Sequence, residues 1–335
     1  MTSSGLFRCD IFMLEAPVTR DEIENAPTKA KIRAGEEVVK RALEEYDTEN
    51  VVIGFTGGKD STLTAWLVKR VCEEHGFDKP RFMFVDHGQH FDELEDYVER
   101  LANDWGFEVM TAKNEDLIEK ADQPGDKVPV EELNERNQEA AEEVGDYEEV
   151  PWLMDTEAGN HLLKTVPMHE LLENHNINAV INGVRWDEHE SRGDEDFYSP
   201  RTEQDHIRVH PILQLDERDV WDVSWFHMVP DITGTEINSY PETEEDLPEN
   251  LSKDDVPISP KYWAGFRSLG SEVSTDKSQE TPAWLQDVEN TKERAGRAQN
   301  KDDKEIMDKL RKLGYMTVPL AAVGSKLPLM SVGAF

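Results

Sequence analysis

The stretch VVIGFTGGKDSTLTAWLVKRV, residues 51–71, joins an apolar segment to an amphipathic one through a pair of glycines. Val51–Phe55 is apolar and rich in β-branched residues, which favours a short buried strand. Gly57 and Gly58 interrupt this pattern, and from Leu63 onward apolar residues recur at i, i+3, i+4 and i+8, the spacing of a helix face. The stretch therefore predicts a strand, a tight turn and a helix that stops at the next glycine, residue 76.

The same alternation continues along the chain. Further strands are predicted at 81–86, 107–112 and 179–184, and further helices at 92–106 and 165–176. Alternating strands and helices of this length are typical of a parallel sheet with helices on both faces. The sequence therefore predicts an α/β fold, built on an open, mostly parallel twisted sheet, with an irregular helical C-terminal region.

The turn Thr56–Ser61 has the residues of a phosphate-binding loop. It leaves the carboxyl end of a strand, which is where open parallel sheets bind ligands. Gly57 and Gly58 let backbone N–H groups approach an anion, the N-terminus of the helix favours negative charge, and Lys59 adds a full positive charge. The spacing differs from the mononucleotide G-x-x-x-x-G-K-[ST] loop. The alternative is a strand–helix turn that needs glycine only for its shape.

The sextet TGGKDS resembles the SGGKDS signature of the PP-loop ATP pyrophosphatases, with Thr56 in place of the usual serine. The resemblance implies that the loop holds the β,γ-pyrophosphate of ATP while a nucleophile attacks the α-phosphorus. The signature is shared by tRNA-thiolating enzymes, amidotransferase synthetases and sulfate-activating enzymes. It therefore indicates the half-reaction and leaves the acceptor open.

Two further segments resemble the branch that contains the 3′-phosphoadenylylsulfate reductases and the sulfate adenylyltransferases: residues 84–109, and residues 164–201 with their Gly-x-Arg-x-Asp-Glu…Ser-Arg pattern. Arg185 and Arg192 would bind an oxyanion, oriented by Asp187 and Glu188, because a guanidinium can hold an oxyanion through two bonds. A surface ion-pair cluster is the alternative. The resemblance implies that these residues bind the nucleotide: Thr56, Gly57, Gly58, Lys59, Asp60, Ser61, Asp86 and Gly183.

Residues 266–316 resemble the C-terminal region of the small, ATP-pyrophosphatase subunit (subunit 2) of the GTPase-coupled sulfate adenylyltransferases. The matching residues are Arg267, Leu269, Gly270, Glu293, Arg294, Gly296, Arg297, Ala298, Met307, Gly314 and Tyr315. Arg294 and Arg297 would belong to a loop that closes over the nucleotide, or else to an exposed helix end. The residue patterns and the resemblance together predict a helical leader at 1–48, a PP-loop nucleotide-binding domain at 49–215 and a loop-rich and helical region with an apolar tail at 216–335. An acidic insertion at about 120–150 is predicted to be helical or mobile and to lie over one edge of the sheet.

The two cysteines, Cys9 and Cys72, are far apart in the sequence and exclude a disulfide framework and a cysteine-ligated metal site within one chain. A cytoplasmic location is the simplest expectation. The related reductases need a redox cysteine near the C-terminus, and this sequence has none after Cys72. Adenylylation needs no protein thiol.

The formal net charge of −36 is spread along the chain. It is typical of a protein from a high-salt, haloarchaeal-like organism, and an acidic partner-binding surface is the alternative. We expect no nucleic-acid partner, because phosphate binding needs clustered Lys and Arg. No apolar run is long enough to span a membrane, and the N-terminus has no secretory pattern.

His87 and His90 follow the second strand, and with Asp86 they are the obvious candidates for a metal site. Two histidines alone make a poor site, so we predict a loop near adenosine and no protein-held metal. Mg²⁺ is expected through the phosphates of ATP.

Sulfate activation is the function that these features predict: ATP and sulfate would give adenylyl sulfate and pyrophosphate, with Lys59, Arg185 and Arg192 as the catalytic residues. A GTPase large subunit is the partner that the resemblance implies, and a homo-oligomer is a further expectation. The alternatives are a PP-loop sulfurtransferase or adenylylating enzyme that acts on nucleic acid or a carrier protein, and a non-catalytic nucleotide-binding regulatory subunit. The apolar tail at 316–335 is expected to pack against residues 5–14, or against a second chain.

Overall fold

The computed structural model describes residues 14–154, 156–189, 192–201, 205–272, 275, 277–291 and 293. Its first half alternates helices and strands, in this order: α1 (Arg20–Ile23), α2 (Thr28–Glu45), β1 (Val51–Gly54), α3 (Lys59–His75), β2 (Arg81–Asp86), α4 (Asp92–Trp105), β3 (Val109–Lys113), α5 (Glu115–Ile118), β4 (Lys127–Pro129), α6 (Glu135–Val144) and β5 (Glu149–Pro151). The second half continues with α7 (Glu157–Asn160), α8 (Val166–Asn174), β6 (Ala179–Asn182), β7 (Tyr198–Arg201), β8 (His206–Val209), α9 (Glu217–Val223), α10 (Val229–Thr233) and α11 (Pro260–Trp263).

Six strands form one sheet in the order β3-β2-β1-β6-β8-β7. All neighbouring pairs are parallel except β7 with β8, which is antiparallel. This confirms the predicted α/β fold and its mostly parallel sheet. The sequence order reverses at β1, which has β2 on one side and β6 on the other, so a crevice opens between their carboxyl ends.

The main core lies around α3, which is buried along most of its length between the sheet and α2. Strand β1 is completely buried at Val51, Val52 and Ile53, as its run of apolar residues predicts. Helix α3 ends at Gly76, which has a φ of 75°, in the left-handed conformation that commonly ends helices.

The acidic insertion has more structure than we predicted. Strands β4 and β5 form a two-stranded antiparallel sheet, and α6 lies between them in the sequence. These elements share a separate apolar cluster that includes Val128, Val150 and Trp152. The helical part of the expectation is confirmed by α6. The two strands were not predicted, because three residues carry too little periodic pattern to be recognised as a strand.

The C-terminal region is organised around four tryptophans: Trp221, Trp225, Trp263 and Trp284. The sequence of residues 285–316 predicts a helix, and this prediction is wrong at its start, because a 3₁₀ helix, Ala283–Leu285, ends there and turns follow. The rest of that helix, the apolar tail and residues 5–13 lie outside the described residues. The division of the chain into three regions stays a prediction.

Candidate active site

The loop after β1 has the glycine geometry that the sequence predicts. Gly57 has a φ of 71°, in the left-handed region, and a Cβ atom there would lie 2.7 Å from Cδ1 of Leu94. Both the conformation and the space therefore require glycine. Helix α3 begins two residues later, at Lys59.

Hydrogen bonds within the loop fix its shape. The Thr56 N–H donates to Oγ of Ser61 at 3.2 Å, and that hydroxyl donates to the Gly58 carbonyl at 3.0 Å. The Lys59 N–H, one of the first donors of α3, donates to the hydroxyl of Tyr262 at 2.8 Å. Tyr262 lies on α11, 203 positions away in the sequence, and our sequence analysis did not identify it.

Gly183 brings the end of β6 against the start of α3. A Cβ atom there would lie 2.6 Å from the backbone C and O of Asp60 and 2.9 Å from the Ser61 N. Backbone atoms cannot yield as a flexible side chain can, so any other residue would separate the two elements. This contact explains in physical terms why glycine precedes Arg185 in the segment.

Arg185 is completely buried and pairs with three carboxylates. Its Nε donates to Asp187 at 2.8 Å, its Nη1 to Asp60, and its Nη2 to Glu293 at 2.7 Å. Asp187 thus makes the orienting contact that we expected. Its second oxygen accepts the Glu217 N–H at 2.8 Å, which fixes the carboxylate to the start of α9.

Lys59 pairs with two of the same carboxylates. Its Nζ lies 2.9 Å from Asp60 and 2.6 Å from Glu293, and its side chain is only 2% exposed. Burial alone would lower the pKa of Lys59, but Asp60 and Glu293 outweigh it and hold that pKa well above its ordinary value. For Glu293 burial acts to raise the pKa, and the charges of Lys59 and Arg185 outweigh it and hold the pKa well below its ordinary value. Lys59 and Glu293 are therefore both charged at neutral pH.

Arg192 lies in a different ion-pair cluster. It is 3.9 Å from Glu195, a carboxylate that also accepts from Arg201 at 3.2 Å and Ser199 at 2.8 Å. Among the ion pairs of the described residues, Arg192 thus belongs with Glu195, whereas Arg185 belongs with the loop. The structure does not bring the two arginines to one carboxylate, and the role of Arg192 stays a prediction.

Asp86 ends β2 and is already paired. Its carboxylate accepts from Lys113 at 2.7 Å and from the Gly88 N–H at 2.8 Å. Ligand atoms of Asp86, His90 and Glu95 lie within 4.8 Å of one another, a spacing that a metal could use. Lys113 supplies the positive charge that Asp86 requires, so we assign no metal to this cluster. The sequence analysis missed Lys113.

His87 and His90 stack on each other, with ring centroids 3.7 Å apart. Burial lowers both pKa values, that of His87 to about 3, so both rings are neutral at neutral pH. The indole of Trp152 donates to the His87 carbonyl at 2.9 Å, which joins the acidic insertion to this loop. The remaining predicted nucleotide contacts, Arg294 and Arg297, lie outside the described residues.

With this geometry established, the chain can be compared with known proteins. Residues 50–232, more than half of the chain, match the family described as "Phosphoadenosine phosphosulfate reductase domain". The chain belongs to this family. The match covers the loop Thr56–Ser61, Asp86, Gly183 and Arg185. It therefore includes the buried ion pairs that Asp60 makes with Lys59 and Arg185.

Individual relatives carry a more specific name. "Sulfate adenylyltransferase subunit 2" of Brucella anthropi is 24% identical over 301 residues, covering 79% of this chain and 89% of the relative. "Sulfate adenylyltransferase subunit 2 1" of Chromohalobacter salexigens is 23% identical, covering 83% and 93%.

Two solved structures are also similar to this chain. The FMN adenylyltransferase of Candida glabrata has a TM-score of 0.48 at 13% identity, covering 84% of this chain and 94% of that one. The phosphoadenylyl-sulfate reductase of Candida auris has a TM-score of 0.45 at 16% identity, covering 79% and 99%. In the described part of the chain, no helix combines the length and the apolar character that a membrane span requires.

Proposed function

We propose that this protein transfers the adenylyl group of ATP to sulfate and releases pyrophosphate. The observation that carries the proposal is the burial of two cations, Lys59 and Arg185, at the loop between β1 and α3. Buried cations at a glycine loop suit the charge of a triphosphate. The names of the relatives, and the absence of a cysteine after Cys72 in this sequence, favour adenylyl transfer to sulfate over thiol-dependent reduction.

In the proposed reaction a sulfate oxygen attacks the α-phosphorus, and the bond from that phosphorus to the β-phosphate oxygen breaks. Sulfate is already ionised, so no general base is required. Negative charge grows on the pyrophosphate and on the α-phosphoryl oxygens. The loop residues Gly57, Gly58, Lys59 and Ser61 would hold the pyrophosphate, and Arg185 would neutralise the sulfate or the α-phosphate. Catalysis would rest on positioning and electrostatics.

The ion pairs of the structure bear on two of the assignments. Asp60 already pairs with Lys59 and Arg185, so it is a poor ligand for Mg²⁺, and we assign the ion to the phosphates of ATP, where it would offset their charge. Arg192 would reach the acceptor only by leaving Glu195. The proposal also includes a GTPase subunit, which would drive the unfavourable equilibrium. It further includes a homo-oligomer, a high-salt source and a cytoplasmic location.

Sulfate-dependent exchange of labelled pyrophosphate into ATP tests the proposal. We expect exchange that requires sulfate and is lost in a variant without Lys59. Exchange that requires a nucleic acid or a carrier protein would instead indicate a transferase with another acceptor. Binding of ATP without exchange would indicate a regulatory nucleotide-binding subunit.

A further inference from the structure

The carboxylate of Glu293 occupies the space between the two buried cations of the site. One of its oxygens lies 2.6 Å from Nζ of Lys59, and the other lies 2.7 Å from Nη2 of Arg185. The side chain of Glu293 is only 9% exposed, and those of Lys59 and Arg185 are 2% and 1% exposed. A planar anion bound through both oxygens to two buried cations is the arrangement that an oxyanion ligand would adopt.

The charges of the site disfavour the binding of this carboxylate and a phosphate together. Lys59 and Arg185 contribute two positive charges, while Asp60, Asp187 and Glu293 already contribute three negative ones. Pyrophosphate would add further negative charge in a buried place, where like charges repel more strongly than in water. Departure of one carboxylate would remove this repulsion.

Glu293 is the carboxylate that can leave most easily. Asp60 belongs to α3, and Asp187 is fixed by the Glu217 N–H. Glu293 follows a segment that is anchored separately, because Arg267 donates to the carbonyls of Val288 and Thr291 at 3.0 Å each. This anchor ends two positions before Glu293, so the carboxylate can withdraw while Thr291 stays in place.

We propose that Glu293 occupies an oxyanion subsite between Lys59 and Arg185, and that pyrophosphate, free or as part of ATP, binds there by displacing it. The inference rests on the proposed function only in requiring that the loop binds pyrophosphate. It does not depend on sulfate as the acceptor. The segment that carries Glu293 thus makes nucleotide binding a competition between a carboxylate of the chain and the phosphates of the ligand.

Isothermal titration with inorganic pyrophosphate alone, at one fixed salt concentration, tests this competition. Glu293→Gln keeps the shape of the side chain and removes the competing charge, so we expect its dissociation constant to fall by about tenfold or more. The matched control is Glu289→Gln, in the same segment. Glu289 pairs with Arg218 at 3.2 Å and its side chain is 64% exposed, so we expect a change of less than about twofold.

Hydrogen exchange of the wild-type protein provides a second measurement that needs no variant. Pyrophosphate should speed exchange in peptides that contain Thr291 and Glu293 and slow it at the loop Thr56–Ser61. If wild type binds pyrophosphate but Glu293→Gln binds no more tightly, or if exchange near Glu293 slows, the displacement is refuted and the phosphate loop stands. If none of the three proteins binds pyrophosphate, the phosphate loop itself is refuted, and the displacement with it.

Discussion

Replacing Lys59 by methionine tests the buried charges of the site and its proposed chemistry together. Methionine has a similar length and no charge, so the substitution leaves Asp60 and Glu293 with Arg185 as their shared cation. Removing one partner of a buried ion pair typically costs about 3–5 kcal/mol, because the remaining charge has lost its compensation. Since Arg185 still contacts both carboxylates, we expect the lower value, about 3 kcal/mol.

A second substitution separates stability from chemistry. Glu293→Gln in the Lys59→Met background removes the carboxylate that the first change leaves undercompensated. We expect the pair to show a coupling energy of about 1–2 kcal/mol, so that the double variant regains part of the lost stability. Its activity should stay low by about 10²- to 10³-fold, because the leaving pyrophosphate has lost a charged contact.

Urea unfolding and pyrophosphate exchange, measured on the wild type, both single variants and the double variant, provide the two readouts. If Lys59→Met unfolds at the wild-type urea concentration, the buried ion pairs described here do not stabilise the protein. If the double variant exchanges pyrophosphate at the wild-type rate, Lys59 does not hold the leaving group.

Four other predictions follow from the same structure. Gly183→Ala should lower stability by about 1–3 kcal/mol and weaken ATP binding, because its Cβ would lie 2.6 Å from the backbone of Asp60; a wild-type melting temperature would contradict this. Arg185→Ala should weaken sulfate use and also ATP binding, because the proposed pyrophosphate subsite includes Arg185, and Arg185→Lys should not restore either, because an ammonium cannot replace a guanidinium paired with three carboxylates; unchanged ATP affinity in both variants would remove Arg185 from that subsite. Burial lowers the pKa of His210 to about 4 and that of His87 to about 3, so below about pH 6.5 the unfolded chain binds more protons than the folded chain. The free energy of unfolding should therefore be highest above about pH 6.5 and should fall, as the pH is lowered, by up to about 1.4 kcal/mol per pH unit for each histidine. A free energy of unfolding that stays constant between about pH 6.5 and 4.5 would refute this. The melting temperature should rise between 0.1 M and 1 M salt, because the net charge of −36 is then screened over ~3 Å instead of ~10 Å, and an unchanged value would contradict the high-salt expectation.

The parts of the fold that the sequence predicted well are those with a local pattern. The strand β1, the glycine turn and α3 form one continuous stretch, in which the apolar spacing and Gly57 can both be recognised from the sequence. The antiparallel pair of β7 and β8 was not predicted. Each strand has only four residues, which is too short for a clear periodic pattern. In addition, β7 contains Pro200, a residue that argues against a strand in the sequence.

The contacts of the site were less accessible from the sequence. Arg185 was found because it follows a strand that ends beside the loop. Its neighbour Glu293 lies 234 positions from Lys59, and no spacing rule connects residues so far apart. The same holds for Tyr262. Arg192 was expected beside Arg185, but its side chain pairs with Glu195, a contact that depends on how the chain turns after β6.

We propose above that the protein joins sulfate to the α-phosphate of ATP. The most direct measurement supplies wild-type protein with [³⁵S]sulfate, ATP and Mg²⁺, together with inorganic pyrophosphatase to remove the second product. We predict labelled adenylyl sulfate from the wild type and about 10²- to 10³-fold less from the Lys59→Met/Glu293→Gln variant. Folded wild-type protein that cleaves ATP to ADP, or that forms no labelled adenylyl sulfate with or without a GTPase subunit, would contradict the account.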